Sequence, residues 1–243
     1  MKKRTGGAGR AFPPLTLFVL ALLLTSCDDD TPTGSNPPTT TTAPPSTASA
    51  FLRAAPLAFD AHTVDVVITG PNGDQTIAGV PYPDVSNYLE LSPGEFRVQF
   101  FPAGSRRAAL AEESVTLSDD EAVTVALVGL SAFEFAVFED DRIDSSSSAG
   151  VAMTNSIPDF PAALDLVVLN GPTLLQDVAY LETSDAAEVI PGRYDVQIRR
   201  AGTEEPVATS TGHDFAAGVT YTIFAVGSLT RGDLGIVVAS DVP

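Results

Sequence analysis

The sequence predicts an all-β protein: two tandem antiparallel β-sandwich domains, Ig-like or transthyretin-like, set behind an export signal and a disordered linker. Three observations carry that expectation. Val80 to Gly104 (VPYPDVSNYLELSPGEFRVQFFPAG) recurs as Val178 to Gly202 (VAYLETSDAAEVIPGRYDVQIRRAG) at a constant shift of 98, with ten identities in 25 positions. Tyr82/Tyr180, Ser86/Ser184, Pro93/Pro191, Gly94/Gly192, Val98/Val196 and Gly104/Gly202 are among them, so turn and apolar positions repeat in step, as in a duplicated domain. Short runs of β-branched and aromatic residues also alternate with Gly, Pro, Asn, Asp and Ser clusters at near-regular spacing, and no long helical period interrupts them.

The elements follow in chain order. Residues 1–26 open with Met1-Lys2-Lys3-Arg4 and carry an apolar core, Leu15 to Leu24, too short to span a bilayer permanently; this is a signal peptide. Leu24-Thr25-Ser26-Cys27 resembles the lipobox of bacterial lipoproteins, which implies lipidation at Cys27, a membrane anchor and an extracytoplasmic location. Acyl chains there would bury hydrocarbon at about 0.8 kcal/mol per CH₂. Cys27 is the only cysteine, so no intrachain disulfide can form. Asp28-Asp29-Asp30 resembles an inner-membrane retention signal in enteric bacteria and a surface-export signal in other Gram-negative groups. The run of three acids leans toward the outer membrane and cell surface. The rest of the linker, 27–50, is rich in Pro, Thr and Ser and cannot pack a core. Thr31 to Ala50 is a semi-extended stalk that reaches at most roughly 60 Å at about 3.1 Å per residue.

The first repeat spans 51–141, with strands expected at Phe51–Ala55, Thr63–Thr69, Gln75–Val80, Asn87–Leu91, Glu95–Phe101, Ala108–Leu117, Ala122–Gly129 and Phe133–Glu139. Pro93-Gly94 and its twin Pro191-Gly192 suit a type II turn, proline fixing the first φ and glycine supplying a positive second one. After each pair the alternation is clean: Phe96, Val98 and Phe100 oppose Arg97 and Gln99, and Tyr194, Val196 and Ile198 oppose Asp195, Gln197 and Arg199. Val123 to Gly129 and Tyr221 to Gly227 are apolar on both faces, which marks a central strand or a packing surface between the repeats. Asp65 and Asp165, each within an apolar strand, are expected to face outward. Residues 142–150 read as a short flexible joint, and the second repeat runs 151–243.

At these residues the chain resembles a bacterial family of uncharacterised secreted domains, often in tandem and often on lipoproteins or wall-anchored proteins. The second repeat carries its Pro158-Asp159-Phe160-Pro161 segment, the Asp165 strand, Pro191-Gly192-Arg193-Tyr194-Asp195-Val196, Ala201-Gly202 and a strand ending Val226-Gly227. The first repeat carries Pro93-Gly94-Glu95-Phe96-Arg97-Val98 and Ala103-Gly104, but departs with Ala58-Phe59-Asp60-Ala61-His62 where the Pro-Asp-x-Pro segment belongs. The resemblance implies the fold and adds neither an activity nor a site.

No reaction is legible. His62 and His213, the two histidines, do not align in the repeat and read as loop or strand-edge residues. A zinc site would want more His or Cys ligands, and the lysines lie only at Lys2 and Lys3. No cofactor or metal is expected. The acids of Ser118-Asp119-Asp120-Glu121 and of Glu139 to Asp144 read as solvated charge, with calcium at the joint the sharper alternative. Tyr82, Tyr88, Tyr180 and Tyr194 could stack on sugar, but at strand positions they read as core. After Cys27 nine arginines face 31 acids, a net of −22, which repels nucleic acid. The expectation is a non-catalytic, lipid-anchored envelope or surface lipoprotein presenting two modules for binding or adhesion to an unknown protein or glycan. The alternatives are a periplasmic scaffold subunit and, more remotely, a carbohydrate-active module.

Overall fold

Two-residue alternation of apolar side chains builds each layer of the molecule. The computed structural model describes residues 48–242; the expected signal peptide, Cys27 and the expected stalk as far as residue 47 lie outside them. In the first module the strands are β1 (Ala50–Pro56), β2 (Thr63–Gly70), β3 (Gly73–Pro81), β4 (Leu89–Leu91), β5 (Gly94–Pro102), β6 (Ala111–Leu117), β7 (Ala122–Val128) and β8 (Glu134–Glu139). In the second they are β9 (Ala149–Asn155), β10 (Leu164–Val168), β11 (Thr173–Val178), β12 (Ala187–Val189), β13 (Gly192–Arg200), β14 (Pro206–Phe215), β15 (Thr220–Val226) and β16 (Gly235–Ser240). Each of the eight strands expected in the first module is present.

The duplication extends to topology. The first module forms sheets β4-β1-β7-β8 and β3-β2-β5-β6, and the second β12-β9-β15-β16 and β11-β10-β13-β14, the same orders displaced by eight strands. Two details depart from the expected plan. The sheets are not purely antiparallel, because the opening strand of each module pairs parallel with the seventh: β1 with β7 and β9 with β15. A parallel neighbour must be reached by a long crossover, so local turn signals cannot announce it. Nor do the Pro-Gly pairs close type II turns: Gly94 takes φ +154°, and Gly192 is not among the positive-φ residues. At both places the chain passes from one sheet to the other, β4 to β5 and β12 to β13, so a bend suffices and the glycine opens the next strand.

Each module has its own core. Leu52 and Ala54 of β1, Val66 and Ile68 of β2, Phe96, Val98 and Phe100 of β5, and Val123, Val125 and Leu127 of β7 pack together in the first. Val151 and Met153, Leu164 and Leu166, Val196 and Ile198, and Ile223 and Ala225 do the same in the second. The intervening residues of the central strands point the other way and are just as buried. Ala55, Leu57, Ala126, Val128 and Phe138 of the first module form a third cluster with Phe224 and Val226 of the second. The two-faced apolar stretches are therefore both central strands and the surface on which the modules pack, sheet β4-β1-β7-β8 against sheet β12-β9-β15-β16.

The Val-Gly ends of β7 and β15 have a steric cause. Gly129 and Gly227 take φ +105° and +100°. A Cβ on Gly129 would sit 2.2 Å from the carbonyl oxygen of Ala132, and one on Gly227 2.4 Å from that of Asp233. Only glycine lets the chain double back that closely. The stretch expected as a flexible joint is fastened: Arg142 donates to the Asp120 carbonyl, the Ile143 N–H donates to Thr220 Oγ1, and Ala149 and Gly150 already belong to β9. Its serines and short side chains lack apolar bulk, so the sequence could not show that neighbouring strands hold it.

Candidate functional site

The packing face between the modules carries one buried arginine, and around it the residues converge. Arg53 lies in β1 on the side away from its own core, where alternation places it with Ala55, and it is 1% exposed. Its Nε donates to Thr124 Oγ1 at 2.7 Å, and its Nη1 to the Ser240 carbonyl at 3.1 Å. Its Nη2 reaches Asp140 at 2.9 Å and Asp241 at 2.6 Å. Asp140 ends the first module and Asp241 the second, so one guanidinium bridges both.

The two carboxylates are equivalent in the duplication. Thr124 on β7 donates to Asp140 at 2.8 Å, and Thr222, displaced by 98 residues on β15, donates to Asp241 at 2.8 Å. The Asp140 N–H bonds the Ala122 carbonyl as the Asp241 N–H bonds that of Thr220. The cation is not duplicated. β1 pairs Arg53 with Thr124, and β9 pairs Ala152 with Thr222, so alanine stands where arginine would. Tyr88, too, is replaced by Ala186 at the shift of 98. The Tyr88 hydroxyl donates to Asp140 at 2.7 Å, and its ring lies 4.7 Å under the Arg53 guanidinium.

Burial dominates the electrostatics. It opposes the charge on Arg53, but Asp140 and Asp241 more than offset it, and the guanidinium is held above its ordinary value. Burial pushes the Asp140 carboxyl up against the pull of Arg53, and pushes Asp241 up to about 6. The Tyr88 hydroxyl rises too, through burial and then Asp140. A cleft of about 990 Å³ opens beside the pair, its rim including Asp120, Glu121, Asp144 and Asp185. Among the described residues no three His, Cys, Asp or Glu side chains are grouped to hold a metal. Of the acidic runs, Glu121 caps a turn through the Ser118 N–H, and Asp120 pairs with Arg142 at 3.0 Å.

The sequence missed this site. Its signal was an arginine inside the apolar β1, together with Thr124/Thr222 at the shift of 98 and an aspartate, Asp140 or Asp241, directly after the last strand of each repeat.

Asp165 corrects the expectation of an outward strand residue, being only 6% exposed. It accepts from the Asp177 and Gly202 N–H groups, both at 2.9 Å; Asp65 accepts from Gly79 at 2.8 Å and Gly104 at 2.9 Å. A register shift in β2–β3 and β10–β11 lies at each place, so the carboxylate takes up one amide that the interrupted ladder leaves over, Gly79 or Asp177, and a second from the turn after β5 or β13, Gly104 or Gly202. The Gly104 N–H bond foremost holds the Asp65 carboxyl below its usual value. Asp159 of the Pro-Asp-x-Pro segment accepts from Ser228 Oγ at 2.7 Å and from the Leu229 and Thr230 N–H groups at 2.8 and 2.9 Å. Burial pushes its carboxyl up, yet these bonds prevail and hold it far below the ordinary range. That segment is thus the clamp on the loop after β15.

His62 sits against the Asp60 carbonyl at 2.8 Å, and His213, in the other module, against Ser210 Oγ at 2.8 Å; the two are not brought together. Nor do the tyrosines share a platform. Tyr194 stacks on Phe215 with its hydroxyl on the Ile190 carbonyl. Tyr82 and Tyr180 have raised hydroxyl values through burial first and then Asp233 and Glu134 respectively, each an acid of the opposite module. Arg231 adds a second bridge between modules, bonding Asp60 at 2.7 Å and lying 4.6 Å over the Phe59 ring. Cys27 lies outside the described residues.

The model of the domain of unknown function DUF4397 matches residues 50–162 and again 149–243. No curated protein matches the chain. Among solved structures, the TIE protein of Bacillus anthracis is 12% identical over 74% of this chain with a TM-score of 0.27, and the chain spans 34% of its length. A CBM26 carbohydrate-binding module of Eubacterium rectale Amy13K, in complex with maltoheptaose, is 10% identical over 80% of this chain and 98% of its own, with a TM-score of 0.25. A candidate cell adhesion protein of Bacteroides uniformis is 12% identical over 81% and 98%, with a TM-score of 0.23. At such scores they carry no argument about ligand or activity.

Proposed function

The chain belongs to the DUF4397 family, with two copies of its domain, and on that premise we propose that it is a lipid-anchored, extracytoplasmic binding protein of the bacterial envelope without catalytic activity. Cys27 holds it to a membrane, the Pro/Thr-rich stalk sets it at a distance, and the two β-sandwiches meet a protein or glycan partner through loops or sheet edges. The cell surface is favoured over the inner membrane.

One observation supports this reading above the others, the point at which the tether enters the fold. The stalk leads into Ala50, the first residue of β1, and β1 lies inside its sheet between β4 and β7. A pull along the stalk would slide β1 lengthwise against both neighbours, loading their hydrogen bonds together and not one after another. Arg53, three residues into the strand, ties the same strand to the second module. A tether attached there can hold both modules under load, as a presenting role requires.

Two experiments test the reading. Protease shaving of intact cells is expected to release the modules through cleavage in 31–50, read by mass spectrometry. Protection until the outer membrane is opened would move the protein to the periplasm and favour the scaffold reading. Cys27→Ala is expected to shift the protein from the membrane to the soluble fraction; a variant that stays with the membrane would refute the anchor.

A further inference from the structure

Three buried charged side chains meet on the packing face, and their formal charges do not cancel. Arg53 supplies one positive charge, Asp140 and Asp241 supply two negative ones, and all three are under 7% exposed. The groups turned toward Asp241 are Arg53 from β1, Asp140 from the end of β8 and, beyond Asp140, the Tyr88 hydroxyl from the β3–β4 connection. Thr222 and Thr124 contribute only hydroxyls. The charged side chains of the adjoining cleft are Asp120, Glu121, Glu139, Asp141, Asp144 and Asp185, with Arg142 spent on Asp120. No second cation faces the pair from any of these elements.

We propose that the packed face between the modules is a proton-linked clamp: it holds one carboxylate proton that the separated modules release, so mild acid tightens the joint and neutral to alkaline solution loosens it. A buried site with one surplus negative charge gains by neutralisation, whereas the same aspartates in water ionise freely. The arginine bonds both carboxylates but neutralises only one of their charges, and the proton settles on the pair. It passes from solvent to a carboxylate oxygen, and no other bond changes.

The sign follows from linkage. Asp241, raised from 3.8 to about 6 chiefly by burial, binds a proton in the packed state at a pH where the unfolded chain does not. Stability therefore falls as pH rises through that window and is greatest on its acid side. Between pH 7 and pH 5 the packed state gains about tenfold in its equilibrium over the opened one.

The test compares full-length wild type with Asp241→Asn, which keeps the shape and removes the titration. Denaturant unfolding at pH 5 and pH 7 is expected to give the wild type about a tenfold larger gain in folding equilibrium constant on acidification than the variant shows. Equal gains would overturn the proposal. Should the variant fail to fold, NMR titration of wild type labelled at the aspartate carboxyl carbons decides. One resonance with a midpoint near 6 supports the clamp, and no aspartate titrating above pH 5 refutes it.

Discussion

Replacing Arg53 with methionine would show how far the two modules depend on a single side chain. Methionine keeps much of the apolar stem and removes the guanidinium, leaving Asp140 and Asp241 buried with threonine hydroxyls and, for Asp140, Tyr88. Stranding a buried charge by removing its partner costs about 3–5 kcal/mol. For a domain of this size each kcal/mol lowers the melting temperature by about 2–4 °C, so Arg53→Met is expected to lose roughly 6–20 °C at pH 7.5. Without the arginine both carboxyls rise further above their unfolded values, so the deficit is largest at neutral pH and shrinks as pH falls and they protonate. The assay is calorimetric melting of the full chain at pH 7.5 and pH 5. Arg53→Met/Asp140→Asn/Asp241→Asn should recover most of the loss, because it removes the surplus charge together with the cation. A single variant melting within about 2 °C of wild type at pH 7.5 would show that the triad does not hold the packing face together.

Gly227→Ala should destabilise by about 2–4 kcal/mol, combining a strained positive φ with a clash against the Asp233 carbonyl. Gly79→Ala, also at positive φ but with open space around its Cβ, should cost only about 1 kcal/mol, and equal losses in urea unfolding would refute the close-approach account. Asp159→Ala should cost about 2–3 kcal/mol and speed amide exchange at Leu229 and Thr230, whose N–H groups it now accepts from. Since the Asp159 carboxyl lies below its unfolded value, this stabilisation is complete above about pH 4 and disappears as pH falls through the folded value. A difference between variant and wild type that grew on acidification would contradict it.

Much of the architecture was legible because it rests on local rules. Period-two alternation located the eight strands of the first module, and the repeat at a shift of 98 carried the plan to the second. The double apolar pattern of Val123 to Gly129 and Tyr221 to Gly227 gave away strands with no wet face. The parallel β1–β7 pairing was hidden, since alternation says which side a residue faces and not which strand lies beside it. The Pro-Gly pairs misled for a related reason: a turn and a passage between sheets share the same residues and differ in where the next strand goes. Asp165 looked like any polar residue on a strand until the bulge beside it left the Asp177 amide, and the turn after β13 the Gly202 amide, for it to accept from.

The sequence by itself determined the duplication, the strands and the faces each would bury, because these depend on neighbours in the chain. Only the tertiary structure decided that two of those faces would be buried on one another. It brought Arg53 to Asp140 and Asp241, 87 and 188 residues away, where the low polarity of the packed face gives their charges consequence. No local pattern encodes such a meeting; it exists once two sheets have excluded the water between them.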